Sequence, residues 1–148
     1  MELPKYQIST NEDQTVFKFV SDGPNGKIIK IVLYQPMDEP DLYNLALGDL
    51  DSKTGEIDFD IRTNNGDRDM ILATITETVY AFLYSRPTYS IHFKGSDSVR
   101  TRLYQMAISN YFDKLSEDFE IQGKLKNELL RFEKGVNFDA FIIQLKNK

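Results

Sequence analysis

The stretch "TVFKFVSDGPNGKIIKIVLYQP", residues 15–36, narrows the possible folds more than any other. Phe17 and Phe19 alternate with Lys18 at the two-residue period of a strand. "GPNG" (23–26) supplies the glycines and proline of a reversal, and "KIIKIVLYQ" (27–35) returns as a second strand. Apolar residues occupy both parities of the return, Ile29, Ile31 and Leu33 against Ile28, Val32 and Tyr34. Much of this strand is therefore expected to be covered on both faces.

Pro36 and Pro40 interrupt the chain before a third strand, "LYNLALGDL" (42–50). "SKTGEIDFDIRT" (52–63) holds a fourth, in which Ile57, Phe59 and Ile61 alternate with Glu56, Asp58 and Asp60. The period changes in "TNNGDRDMILATITETVYAFLYSRP" (63–87), where Ile71, Ile75, Thr78, Val79, Phe82 and Leu83 fall at helical spacing. Asn64 or Asn65 and then Asp67 supply its start, and Pro87 forces a stop near Ser85. "TYSIHFK" (88–94) is a fifth strand, and Val99, Leu103, Met106, Ala107 and Asn110 mark one face of a second helix running to about Asp113. "EDFEIQG" (117–123), "NELLRF" (127–132) and "FDAFIIQLK" (138–146) read as closing strands, with Gly123 and "EKGVN" (133–137) at their turns. Few polar positions interrupt Ala140, Phe141, Ile142, Ile143 and Leu145, which argues for an interior strand. The order ββββ-α-β-α-βββ predicts an α+β fold, a single domain with a largely antiparallel sheet and two helices packed on one face. Residues 1–14 are expected to form a loosely ordered N-terminal extension.

A chain of 148 residues that is 41% hydrophobic suffices for one core. Its net charge of −5 supplies no global field toward nucleic acid or an anionic membrane. Charge is uneven: from 38 to 60, eight acids stand against Lys53, so that window carries −7 and the remainder +2. Without cysteine there is no disulfide, thiolate nucleophile or sulfur metal site. "MELPKYQIST" lacks a basic start followed by an apolar run, and no stretch approaches the ~20 apolar residues of a membrane span. A cytoplasmic location is the expectation.

The strand-to-helix junction "HFKGSDSVRTRLY" (92–104) offers the best local anion site. Free amides of a first helical turn would point outward from "GSDS", with the hydroxyls of Ser96 and Ser98 and the cations of Lys94 and Arg100 within reach. Tyr104 lies four residues beyond Arg100 and can stack on its guanidinium. Arg102 lies about 200° around the helix from Arg100, so the two cannot clamp one group together, and Arg102 is expected instead to tie the helix to a neighbouring carboxylate. The plain alternative is ordinary helix capping by Ser96 or Asp97. His92, the only histidine, shares a strand face with Ser90 and Lys94; with Asp or Glu partners it would suit a small hydrolase or transferase, although no "GxSxG" elbow accompanies it. Asp49, Asp51 and Asp60 resemble a calcium loop only in part, since Lys53 takes a ligand place and Gly55 comes one place late. Phe17 or Phe19 with Lys18, Lys27, Lys30 and Tyr34 is a modest version of a base-stacking sheet for single-stranded nucleic acid. "TNNGD" (63–67) carries amides that could meet a ligand, but Asn-Gly is first a turn signal. No catalytic set, metal site or cofactor motif emerges.

"KFVSDGPNGKIIKIVLYQPM", "YNLALGDLDSKTGEIDF", "TNNGDRDMILATI", "FKGSDSVRTRLYQMAIS" and "FEKGVNFDAF" together resemble a family of short, uncharacterised proteins found mainly in Bacteroidetes-type bacteria. The similarity runs from about Phe17 to the end, and "GSDSVRTRLY" is its most distinctive part; "MELPKYQISTNEDQT" is longer than the family's usual entry. The resemblance implies a bacterial single-domain protein and brings no catalytic residues. The function expected is a non-enzymatic binding or regulatory module, its partner a phosphate- or carboxylate-bearing ligand or a protein, with nucleic acid disfavoured by net charge.

Overall fold

The alternation at Phe17 and Phe19 and the glycines that follow fold as expected. In the computed structural model, which describes residues 4–60 and 65–146, β2 (Val16–Gly23) pairs antiparallel with β3 (Gly26–Pro36), and Gly23 faces Gly26 across the reversal. Strand β1 (Ser9–Thr10) adds to the outside of β2. Then come β4 (Leu42–Leu50), β5 (Ile57–Asp58), α1 (Arg68–Ser85), β6 (Ser90–Phe93), α2 (Ser98–Asn110), α3 (Phe112–Asp118), β7 (Phe119–Leu125), β8 (Glu128–Arg131) and β9 (Ala140–Leu145). Hydrogen bonding links the strands in the order β1-β2-β3-β4-β6-β9-β7-β8, with β5 on β4. The protein is α+β, and its sheet is mostly antiparallel. One pairing, β4 with β6, is parallel, and it needs the long crossover that α1 supplies. None of the described helices is long and apolar enough to cross a membrane.

The chain forms two compact units, Met1–Gln35 with Ala46–Phe82 and Pro36–Leu45 with Leu83–Lys148. In the first, α1 lies over the face of β2 and β3 that carries Phe17, Phe19 and Tyr34. The Tyr34 ring stacks on Phe82 at 4.3 Å and its hydroxyl meets Thr78 Oγ1 at 2.9 Å. Lys30 on the same face is buried and paired with Asp49 at 2.6 Å. From the N-terminal extension, the Tyr6 amide donates to Thr74 Oγ1, and its hydroxyl and that of Ser21 both donate to Asp67 Oδ2 at 2.5 Å. Asn65 bonds to Ser21, Asn25 and Gly26. Asn64, the alternative helix start, lies outside the described residues.

In the second unit, β9 runs between β6 and β7, as its apolar content predicts. Ile91, Ile143 and Ile121 share a row, Phe93 pairs with Phe141, and α2 covers this face through Tyr104, whose ring meets Phe93 edge-on. On α3, Phe112 stacks on Phe132.

Four details depart from expectation. The alternation at Ile57 and Phe59 yields a strand of only two residues; both side chains pack over Gly48, where a β-carbon would lie 2.6 Å from Ile57 and 2.8 Å from Phe59. The buried side of α2 is Thr101, Gln105 and Ile108, while Val99 and Met106 are about half exposed. Polar residues win that face because Thr101 bonds Gly95 and Asp97, and Gln105 bonds Val136 and Phe138. A third helix takes the residues before Phe119. Gly123 lies within β7, not at a turn; the reversal is Lys126–Asn127, both with positive φ, the geometry of a two-residue hairpin loop. Gly123 is required where it stands because a β-carbon there would fall on the ring of Phe138.

Candidate functional site

The junction selected from sequence is a tightly built helix cap. Asp97 is the N-cap of α2, and its Oδ1 accepts from the amide of Arg100 at 2.9 Å. A first-turn donor available to an anion is thus bonded to the protein's own carboxylate. A β-carbon on Gly95 would meet backbone of the first turn, with Arg100 C at 2.6 Å, so only glycine admits this close approach of strand end to helix. Lys94, Ser96 and Ser98 are exposed; Arg100 and Tyr104 are half-buried. Burial raises the Tyr104 hydroxyl pKa, with the charge of Arg100 working the other way. Tyr104 therefore packs on Phe93 within reach of Arg100's field.

Lys94 belongs to a second grouping, which strand register assembles on the face of the sheet opposite α2. Asn44 pairs with His92, His92 with Ile142, Ile142 with Gln122 and Gln122 with Arg131, making one row across five strands. In the next row Lys124 stands between Ala140 and Leu129, and Lys94 follows at the end of β6. The row on the other side is Leu42, Ser90, Gln144 and Glu120.

His92 Nδ1 lies 2.9 Å from Asn44 Oδ1. An amide oxygen only accepts, so Nδ1 carries the proton and the neutral ring presents a lone pair at Nε2. Burial, then the charges of Lys124 and Lys94, hold the imidazole pKa below its usual 6.5. The nearby acids are engaged elsewhere. Glu120 accepts from Gln144 Nε2 at 2.9 Å, Gln144 Oε1 accepts from Ser90 Oγ at 3.1 Å, and Asp139 accepts from the Lys126 amide. Among the described residues, no carboxylate lies within the 4.0 Å of an ion pair from Lys94, Lys124 or Arg131.

The other sequence candidates go to packing. Phe17, Phe19, Tyr34 and Lys30 are buried beneath α1, so those rings are not open to nucleic-acid bases. Asp49 is held by Lys30, and Asp51 Oδ1 accepts from the Lys53 amide; no metal-holding cluster occurs among the described residues. The partner of His92 is an amide, not an acid. Local spacing does not reveal Lys124 and Arg131, because Lys124 comes beside His92 only through the β6–β9 and β9–β7 registers, and Arg131 only through the further β7–β8 register. The shared parity of His92 and Lys94 was the one local signal.

Fold and surface define a class: an α+β protein with helices over one side of the sheet in each unit and, in the second, an opposite side bearing cations that have no ion-paired carboxylate among the described residues. The chain belongs to a family of unknown function, DUF6934, whose profile matches residues 2–146. This agrees with a resemblance that carries no established activity. Nothing among curated proteins or solved structures matches the chain.

Proposed function

We propose that this is a non-enzymatic binding module of the bacterial cytoplasm, and that it takes a phosphate- or carboxylate-bearing ligand on the open sheet face around His92, Lys94, Lys124 and Arg131. The observation that carries this reading is a set of three cations that, among the described residues, have no carboxylate within ion-pair distance, in a protein whose net charge is −5. Unpaired cations on one face concentrate positive potential there even when the whole molecule is acidic. Asn44 fixes the orientation of the His92 ring beside the two lysines, and a bound anion there would favour its imidazolium form. Ser96, Ser98 and Arg100 follow Lys94 in the chain and extend the candidate surface toward the helix start.

That Nδ1 of His92 meets the amide of Asn44 and not a carboxylate supports binding over catalysis, because a general base gains from a carboxylate that stabilises the imidazolium. Titration with inorganic phosphate, followed through backbone amide resonances, tests the site. Shifts concentrated at His92, Lys94, Lys124 and Arg131 are expected, weakening with salt. Unmoved resonances at all four positions at millimolar phosphate would overturn the assignment.

A further inference from the structure

Strand β8 ends the strand order on its side and, among the described residues, pairs with β7 alone. All four of its residues are exposed, including Leu129 at 48% and Leu130 at 40%. Among the described residues, its outer edge has no backbone hydrogen-bond partner. Native edge strands are commonly protected by shortness, charged side chains, proline or a bulge, and of these β8 has its four-residue length and the charges of Glu128 and Arg131 at its ends, leaving Leu129 and Leu130 between them. β8 contains no proline or lysine, and its register with β7 is unbroken from Gln122↔Arg131 to Leu125↔Glu128.

The two sides of this edge differ in chemistry. On the helix-bearing side Leu130 stands beside Gly123, on which the Phe138 ring sits, and Glu128 stands beside Leu125 next to the hairpin turn, so the apolar part of this side is the end at Leu130. On the open side Arg131 stands beside Gln122, and Leu129 beside Lys124. A strand added outside β8 would send alternate side chains to these two sides. We infer that the β8 edge docks an extended peptide segment whose side chains alternate between apolar and acidic, the apolar ones against Leu130 and the acidic ones toward Arg131 and Lys124.

Charge decides against a second copy of the chain as occupant. Antiparallel pairing of two β8 strands about a two-fold axis keeps both open faces on the same side, so Lys124 and Arg131 of both copies would share one like-charged surface. An acidic segment instead supplies the missing counter-charges. This inference goes beyond the anion site, since it rests on the free backbone edge and needs no phosphate at His92.

The experiment uses full-length protein labelled with nitrogen-15 and two synthetic peptides, Ac-SDVEVDVES-NH2 and its charge-inverted counterpart Ac-SKVKVKVKS-NH2. The acidic peptide is expected to shift the amides of Leu129, Leu130 and Arg131 and to slow their hydrogen exchange. Arg131→Glu, at an exposed position, should weaken that binding about tenfold and favour the basic peptide. Three results would each overturn the inference: no shift at β8, equal affinity for both peptides, or free protein that dimerises through β8 in sedimentation and exchange measurements. Phosphate shifts at His92 and Lys94 are scored separately, so failure of one site leaves the other standing.

Discussion

Replacing Gly123 by alanine isolates a single steric demand of the second unit. The added β-carbon would lie 2.5 Å from Cε1 of Phe138 and closer still to Cγ and Cδ1. Ordinary carbon contacts begin near ~3.5 Å, so the ring must retreat by about 1 Å. It has little room, being 5% exposed and packed against Phe132 at 5.6 Å and Phe141 at 6.2 Å. Overpacking of this kind costs about 1–3 kcal/mol, and relief of glycine's backbone entropy returns about 0.5–1 kcal/mol. The net loss should be about 1–2 kcal/mol, or a fall in Tm of about 2–8 °C for a chain of this size. Urea and thermal melts of Gly123→Ala, Phe138→Ala and the double variant measure it. Phe138→Ala alone should cost about 3–5 kcal/mol. With the ring gone, Gly123→Ala should become neutral or stabilising. An equal cost in both backgrounds would refute the steric argument.

Lys30→Met should destabilise the first unit by about 3–5 kcal/mol, because it strands the buried Asp49 carboxylate without its ammonium; adding Asp49→Leu should restore most of the loss in urea melts. For His92 the sign follows from a pKa below 6.5 in the folded state. The unfolded chain takes up the proton first, so stability attributable to this group is present above 6.5 and falls as pH drops through and below that value. The urea midpoint of the wild type should therefore decline more between pH 7.5 and 5 than that of His92→Gln; parallel declines would contradict the shift. Lys124→Ala should raise the imidazole pKa, as read from ring carbon-bound proton resonances, and an unchanged value would remove Lys124 from the cluster.

Local chemistry made parts of this fold legible. The β2–β3 hairpin was announced by "GPNG", α1 by its period and Pro87, and the interior position of β9 by its apolar run. Periodicity failed where buried polar groups do the packing. Thr101 and Gln105 face inward because each is satisfied by neighbouring backbone, while Val99 and Met106 face out, an inversion that hydrophobic spacing cannot report. It also failed at Gly123, whose neighbour in space, Phe138, is remote in sequence. At Gly95 the local signal is sufficient: strand passes to helix there, and Asp97 caps the helix as its side chain and position dictate. The wider cation surface depends on long-range register among β6, β9, β7 and β8, which no local spacing encodes.

The most direct test of an anion seated on this surface is the His92 pKa, measured by NMR titration with and without inorganic phosphate. An anion held between His92, Lys94 and Lys124 offsets the lysine charges and stabilises the imidazolium, so the pKa should rise as phosphate is added. A His92 titration curve that stays in place at millimolar phosphate would contradict the account.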